Sequence, residues 1–232
     1  MFDWHVELGI LCSFLDLTEK EVLSKIETRH DDLKKTWKEL KTPVDYLRFY
    51  SETDFYIYDS FSAHSGKYIY SLAEADNKLA ERIKLLGVKN VLDWGTGSGY
   101  LLTQIGDIID KDATVIGTDV PGQTYAFAYY RLQTLIEMGK NINVNLIKLD
   151  VENYKEQFED RSYDVITCCD VIEHLPTWED GIELLKWFKT KAPITLSNIS
   201  FGRQFQLHPM HLEKPTDDVM NNIKKLYSEA YC

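Results

Sequence analysis

The stretch Val91-Leu92-Asp93-Trp94-Gly95-Thr96-Gly97-Ser98-Gly99-Tyr100-Leu101 constrains this chain more than any other. Two apolar residues lead into an acid, three glycines follow on alternate positions, and an apolar helix start comes next. The pattern predicts a strand ending near Asp93, a tight turn through the glycines, and a helix beginning near Tyr100. Glycine suits such a turn because a Cβ would keep a ligand off the backbone, and because the turn can demand a positive φ. The first amides of the following helix have no intrahelical acceptor and face whatever occupies the turn. The stretch therefore predicts a cradle for a nucleotide-type cofactor.

The dinucleotide fingerprint G-x-G-x-x-G needs its third glycine where this chain has Tyr100. The order is instead D-x-G-x-G-x-G, with an acid two residues before the first glycine. A carboxylate there repels a pyrophosphate and can pair with an ammonium group. In these residues the chain resembles the class I S-adenosylmethionine (SAM) dependent methyltransferases, whose first motif has this form. The resemblance implies that Asp93 faces the methionyl end of the cofactor, directly or through water. Gly95 and Gly97 would let it pass, and Gly99 completes the loop. A tight strand–helix turn holding no ligand is the plainer alternative.

Around this motif, strands and helices alternate. Helices are expected at Ser71–Leu86, Tyr100–Ile109, Tyr125–Met138 and Trp178–Thr190, with Gly87 and Gly139 as stops. Strands are expected at Asn90–Trp94, Thr114–Asp119, Asn143–Asp150, Tyr163–Cys169 and Pro193–Ser200. This is the signature of an α/β fold with a doubly wound, mostly parallel, Rossmann-like sheet, assigned to residues 71–232. Asp119 closes the second strand 20 residues after Gly99, the spacing of the acid that holds a ribose. By the resemblance, Asp150 accepts a hydrogen bond from the adenine amino group and the Val151 amide serves the ring. Family members usually finish with a helix and an antiparallel strand pair. Thr216–Glu229 supplies the helix, but Cys232 follows too soon for both strands. Either the chain is truncated or the sheet is completed otherwise, as by a partner subunit; a homo-oligomer is thus open, and a bare edge is a hazard.

Residues 1–70 are expected to form a helical, aromatic-rich extension. Thr18 and Glu21 make a capping box, and Val22, Leu23, Ile26, Leu33, Trp37 and Leu40 recur at helical spacing. Thr42-Pro43 reads as a fresh N-cap with proline at the first helical position. The aromatic residues that follow either pack these helices on the main domain or line a lid over the substrate, with Tyr46, Tyr50, Tyr56 and Tyr58 as candidates.

After the fourth strand comes Asp170-Val171-Ile172-Glu173-His174-Leu175. In an α/β sheet it lies at the switch point, beside the cofactor. This string looks like the E-x-x-E-H motif of the small-RNA 3′-terminal 2′-O-methyltransferases and of the ubiquinone-pathway O-methyltransferases, where acids and histidine bind a divalent metal. By that resemblance Asp170, Glu173, His174, His208 and His211 would be the ligands. The reading favoured is metal-free, with no metal ligands assigned and Asp170 beside the cofactor. A histidine general base, from His174, His208 and His211, or positioning alone then serves the transfer.

A formal net charge of −11 disfavours nucleic acid as partner, which usually leaves a basic patch. No apolar run reaches membrane-spanning length, no signal segment opens the chain, and the four cysteines lack C-x-x-C spacing, which together point to a cytoplasmic protein. The expectation is a SAM-dependent methyltransferase acting on a small molecule at oxygen, nitrogen or an activated carbon. The alternatives are a metal-assisted RNA 3′-end methyltransferase, a non-catalytic SAM-binding protein, and a SAM-fold enzyme with another reaction such as cyclisation.

Overall fold

The structure, a computed structural model, describes residues 3–37, 40, 42–64, 73–197 and 211–230. Six strands are present among them: β1 (Asn90–Trp94), β2 (Thr114–Asp119), β3 (Asn145–Lys148), β4 (Val165–Cys168), β5 (Ile194–Ser197) and β6 (Glu229–Ala230). They form one sheet in the order β3-β2-β1-β4-β5-β6, with every neighbouring pair parallel. Helices α1 (Trp4–Leu15), α2 (Glu19–Trp37), α3 (Pro43–Glu52) and α4 (Phe55–His64) precede the sheet. The crossovers and flanks are α5 (Ala73–Leu86), α6 (Tyr100–Ile108), α7 (Gln123–Glu137), α8 (Tyr154–Gln157), α9 (Trp178–Lys191) and α10 (Asp217–Leu226).

The central strand is buried from Val91 to Trp94, as expected of a parallel sheet covered on both faces. Successive residues serve opposite cores. Val91 joins Leu79 and Ile83 of α5 and Leu101 and Ile105 of α6. Leu92 and Trp94 join Leu184, Leu185 and Phe188 of α9 and Ile223 of α10. A third core fuses the N-terminal helices to the sheet domain, because Leu11, Ile26, Ile57 and Phe61 pack with Phe127 and Leu135 of α7.

Several expected boundaries shift for local reasons. β3 begins after Asn143, whose side-chain amide donates to the carbonyls of Lys111 and Ala113, both at 3.0 Å. β4 begins after Asp164, whose carboxylate accepts the amides of Lys89 and Asn90 at 2.8 Å each. α1 is a separate helix that capping at Thr18 does not announce; Asp3 caps its start and Asp16, at φ +53°, ends it. The expected capping box of Thr18 with Glu21 forms, and the expected N-cap Thr42 is found to make a second box with Asp45. The edge expected to be left bare at β5 is partly covered, because β6 pairs with it through Leu196↔Glu229 and Ser197↔Ala230. The last three residues of the expected fifth strand, 198–200, lie outside the described residues.

Phe127 is fully buried in the core shared by both parts of the molecule. Phe127→Ala should cost about 3–5 kcal/mol. Urea unfolding followed by both far-UV circular dichroism and tryptophan fluorescence should show one coincident transition at lower urea.

Candidate cofactor and active site

β1 and β4 are neighbours in space, while β2 and β3 separate them in sequence, so the chain leaves them in opposite directions and opens a crevice at the strand ends. The glycine loop occupies one side. Gly95, Gly97 and Gly99 take φ of +72°, +54° and +75°, a region that costs a residue with a Cβ about 1–2 kcal/mol. A Cβ on Gly95 would also strike Val171, whereas one on Gly97 would meet only the Ser60 hydroxyl of α4 at 4.0 Å. Gly95 is therefore needed for packing, and Gly97 for the turn itself.

The end of β2 holds this loop. The amides of Gly95 and Thr96 donate to the Thr118 carbonyl at 2.9 and 3.0 Å. Gly97 donates to Asp119 Oδ2 at 2.6 Å, and Asp119 Oδ1 accepts the Val120 amide at 2.7 Å. Asp93 sits beneath the loop, 2% exposed, accepting the hydroxyls of Thr96 at 2.7 Å and Thr167 at 2.6 Å. Loss of solvation pushes its pKa up to about 6, with the two hydroxyls pulling the other way. Burial likewise pushes Asp119 up to about 6, against the donating amides of Gly97 and Val120. Asp93 is thus engaged inside the loop, leaving only its remaining lone pairs for a ligand.

Asp150 lies just past β3 and is exposed; its carboxylate accepts the backbone and side-chain N–H groups of Asn153, both at 3.2 Å. Leu149 donates its amide to the Asp119 carbonyl at 2.8 Å, which brings Asp150 and half-buried Val151 close to Asp119.

On the far side of the crevice Asp170 takes φ +50°, an unusual conformation for a non-glycine residue. Val171 then closes over Gly95, and a short 3-10 turn carries Ile172–His174. Glu173 is 1% exposed, and its Oε2 has no hydrogen-bond partner among the described residues. Burial first, and the Asp170 charge second, hold its carboxyl well above the usual carboxylate range. The His174 ring meets Tyr56 edge-on at 5.8 Å and His211 at 4.6 Å. Its Nδ1 is 3.5 Å from the Tyr56 hydroxyl, and its carbonyl accepts the Tyr50 hydroxyl at 3.1 Å. Tyr50 and Tyr56 stack at 5.3 Å. The Leu212 amide donates to the Glu173 carbonyl at 2.8 Å, which seats His211 beside His174.

Of the aromatic candidates, Tyr50 and Tyr56 therefore wall the mouth, and Tyr58 is buried in the helical core. Tyr46 is half-buried on α3. His208 lies outside the described residues. Among the described residues no group of three or more His, Cys, Asp or Glu side chains is arranged to hold a metal ion. The chelate suggested by the D-x-x-E-H string is not assembled by Asp170, Glu173, His174 and His211, because Glu173 turns into the protein.

One feature of the mouth left no mark in the sequence. His64 Nε2 lies 2.6 Å from Asp76 Oδ2 and His64 Nδ1 2.9 Å from the Ser60 carbonyl. A carboxylate on one side and a carbonyl on the other both favour the protonated ring. Burial opposes that charge, but Asp76, the Ser60 carbonyl and Asp170 outweigh it and raise the pKa. The ring stacks on Tyr100 at 4.6 Å, pinning α4 to the start of α6.

Residues 91–188 match the family described as "Methyltransferase domain". The match takes in 98 of the 232 residues. Its matched stretch is 31% identical over 100 residues to the ubiquinone biosynthesis O-methyltransferase of Proteus mirabilis, covering 43% of this chain and 37% of that protein. It is 32% identical over 100 residues to the same-named protein of Pseudomonas syringae pv. syringae, covering 43% of this chain and 39% of that protein. The chain thus spans about two fifths of the curated relatives it matches. In three dimensions it is similar to an O-methyltransferase of Bacillus cereus, with a TM-score of 0.50 at 13% identity over 87% of this chain and 85% of that one. The matched stretch begins at β1 and ends in α9, so it contains the glycine loop, both strand-end acids and the Asp170–His174 segment.

Asp93 keeps its proton to about pH 6 in the folded protein, against an ordinary pKa of 3.8. Between those values the unfolded chain binds fewer protons than the native one, so stability falls as pH rises from about 4 to 6 and is level above. The contribution of this one group is about 3 kcal/mol. Asp93→Asn should flatten that part of the profile in urea titrations taken at several pH values. A slope unchanged by the substitution would assign it to other groups.

Proposed function

We propose that the protein is a SAM-dependent methyltransferase that acts on a small-molecule acceptor. The observation that carries this reading is the D-x-G-x-G-x-G loop, seated on the carboxylates of two adjacent strand ends within a methyltransferase domain. The matched relatives are named O-methyltransferases, which makes oxygen the first acceptor atom to test, with nitrogen and activated carbon after it. The net charge of −11 supports a small molecule over a nucleic acid. No helix among the described residues is long and apolar enough to cross a membrane, and Cys12 and Cys168 are free thiols, which supports a cytoplasmic setting.

The residues present fit the cofactor. Gly97 leaves its surface open apart from the Ser60 hydroxyl, and the Ser98 hydroxyl, 2% exposed, has no partner among the described residues. Asp119 retains a second lone pair on each oxygen for the ribose hydroxyls, beyond the amides it already accepts. Asp150 and the Val151 amide stand at the adenine end. Asp93 acts chiefly by holding Thr96 and so the loop, and Asp170 borders the cofactor from β4. When bound, SAM supplies an electrophilic methyl group on a sulfonium.

The chain's own part is positioning and proton removal. In-line displacement needs the acceptor held at the mouth, and positioning alone supplies a large share of the rate. The stacked Tyr50 and Tyr56 form one wall of that mouth. A hydroxyl acceptor must lose its proton, and His174, His211 and His208 are the bases proposed, imidazole being poised near neutrality. The Tyr56 hydroxyl beside His174 Nδ1 orients this ring, and such contacts tighten when a substrate binds.

Titration calorimetry with SAM tests the cofactor half. Asp119→Ala should weaken binding at least about ten-fold, the worth of a charge-assisted hydrogen bond; unchanged affinity would sink the assignment. For the catalytic half, His174→Ala with His211→Ala should lower kcat by about 10²–10⁴ while SAM affinity stays within about two-fold.

A further inference from the structure

We infer that Glu7 and Arg131 are positioning residues for the cofactor loop, so that the N-terminal helix α1 sets the geometry of the last glycine. This rests on the reading of the loop as the SAM cradle. Both side chains are buried, each residue 4% exposed. Arg131 Nε donates to Glu7 Oε2 at 2.6 Å and Nη2 to Glu7 Oε1 at 2.7 Å, a two-pronged pair between α7 and α1. The third nitrogen turns the other way. Nη1 donates to the Gly99 carbonyl at 3.0 Å and to the Thr103 hydroxyl at 3.1 Å. The guanidinium carbon lies 4.1 Å from the centre of the Tyr100 ring.

Gly99 is where such a hold has most effect. It is the N-cap of α6 in the left-handed region, and it has no side chain with which to cap the helix. Its carbonyl accepts the Thr103 amide at 3.0 Å, the first bond of the helix, and Arg131 takes its other lone pair. Two donors on one carbonyl fix the peptide plane between Gly99 and Tyr100, and with it the direction of the amides at the start of α6. Those are the amides a strand–glycine–helix turn offers to its ligand. A bridge serving only to fasten α1 to α7 would need the two contacts with Glu7 and no more. Only a planar fork can serve Glu7 and the loop at once.

A purely structural role is separated from a positioning role by replacing the pair with apolar residues, which commonly preserves or raises stability where a buried ion pair is removed whole. The double variant Glu7→Leu/Arg131→Met is compared with the wild type by thermal unfolding and by calorimetry with SAM. The expected result is a Tm within about 5 °C of the wild type together with SAM affinity reduced about ten-fold or more, the worth of a hydrogen bond to a charged group. Wild-type affinity in the double variant overturns the inference. Arg131→Lys is a second arm that keeps the charge opposite Glu7 but lacks the fork. It should weaken SAM binding in the same direction, and wild-type affinity there would overturn the inference equally. Absence of SAM binding by the wild type would overturn the cofactor reading itself, and this inference with it.

Discussion

A loop that passes through three left-handed glycines has no internal ladder to hold it, and here the neighbouring strand end supplies that hold. The parallel register sets Asp93 opposite Gly117 and Trp94 opposite Thr118. Thr118 therefore presents its carbonyl to the amides of Gly95 and Thr96, and Asp119 its carboxylate to Gly97. Gly117 has to lack a side chain for the same reason: a Cβ there would press on Leu102 at 2.5 Å and on the Thr96 hydroxyl at 3.1 Å. The arrangement takes two carboxylates out of water at adjacent strand ends, which disfavours their charged forms. That cost is offset by hydroxyl and amide donors whose positions the loop itself defines, so loop and acids stabilise one another.

The helices before the sheet complete this assembly from above. Serine 60 of α4 stands over Gly97, His64 ties the end of α4 to Asp76 of α5, and its ring lies on Tyr100. On α7, Gly122 sits so close to Ser51 that a Cβ would lie 2.7 Å from its backbone, which sets α3 against the start of α7. The tyrosines that wall the mouth, Tyr50 and Tyr56, come from these same two helices. An extension that shares Phe127 with the main core and reaches the glycine loop is packed as one body with the sheet.

What could be read from the residues follows from the range of the forces involved. Strand β1, the glycine loop and Asp119 form a contiguous stretch whose period, glycine spacing and terminal acid are local, and the parallel order follows from the alternation of strands and helices. The Thr18 capping box and the Thr42 N-cap were legible for the same reason. Partnerships across long separations were not. Glu7 pairs with Arg131 across 124 residues, and nothing near either residue marks it as buried. His64 and Asp76 face one another only because α4 and α5 fold over the loop. The D-x-x-E-H string suggested three chelating side chains, joined by the two histidines near 210, yet Glu173 faces inward, after the backbone has turned through Asp170 at φ +50°. Such a reversal leaves no trace in the spacing of acids and histidines.

The two halves of the site are therefore built on different principles. The cofactor half comes from consecutive strand ends, so its geometry is inherited from the sheet register and changes only if the sheet does. The acceptor half is assembled from α3 and α4, the turn after β4, and the segment at His211, joined by a few contacts such as Tyr50 to the His174 carbonyl and Leu212 to the Glu173 carbonyl. Each of those segments is a helix end or a connection, where substitution leaves the core intact. Under the proposed function, the acceptor side can vary in these four short segments while the glycine loop stays fixed. Among the described residues the two sides touch at Val171 on Gly95, Ser60 over Gly97 and His64 on Tyr100, so a change in α4 or in the turn after β4 bears directly on the glycine loop.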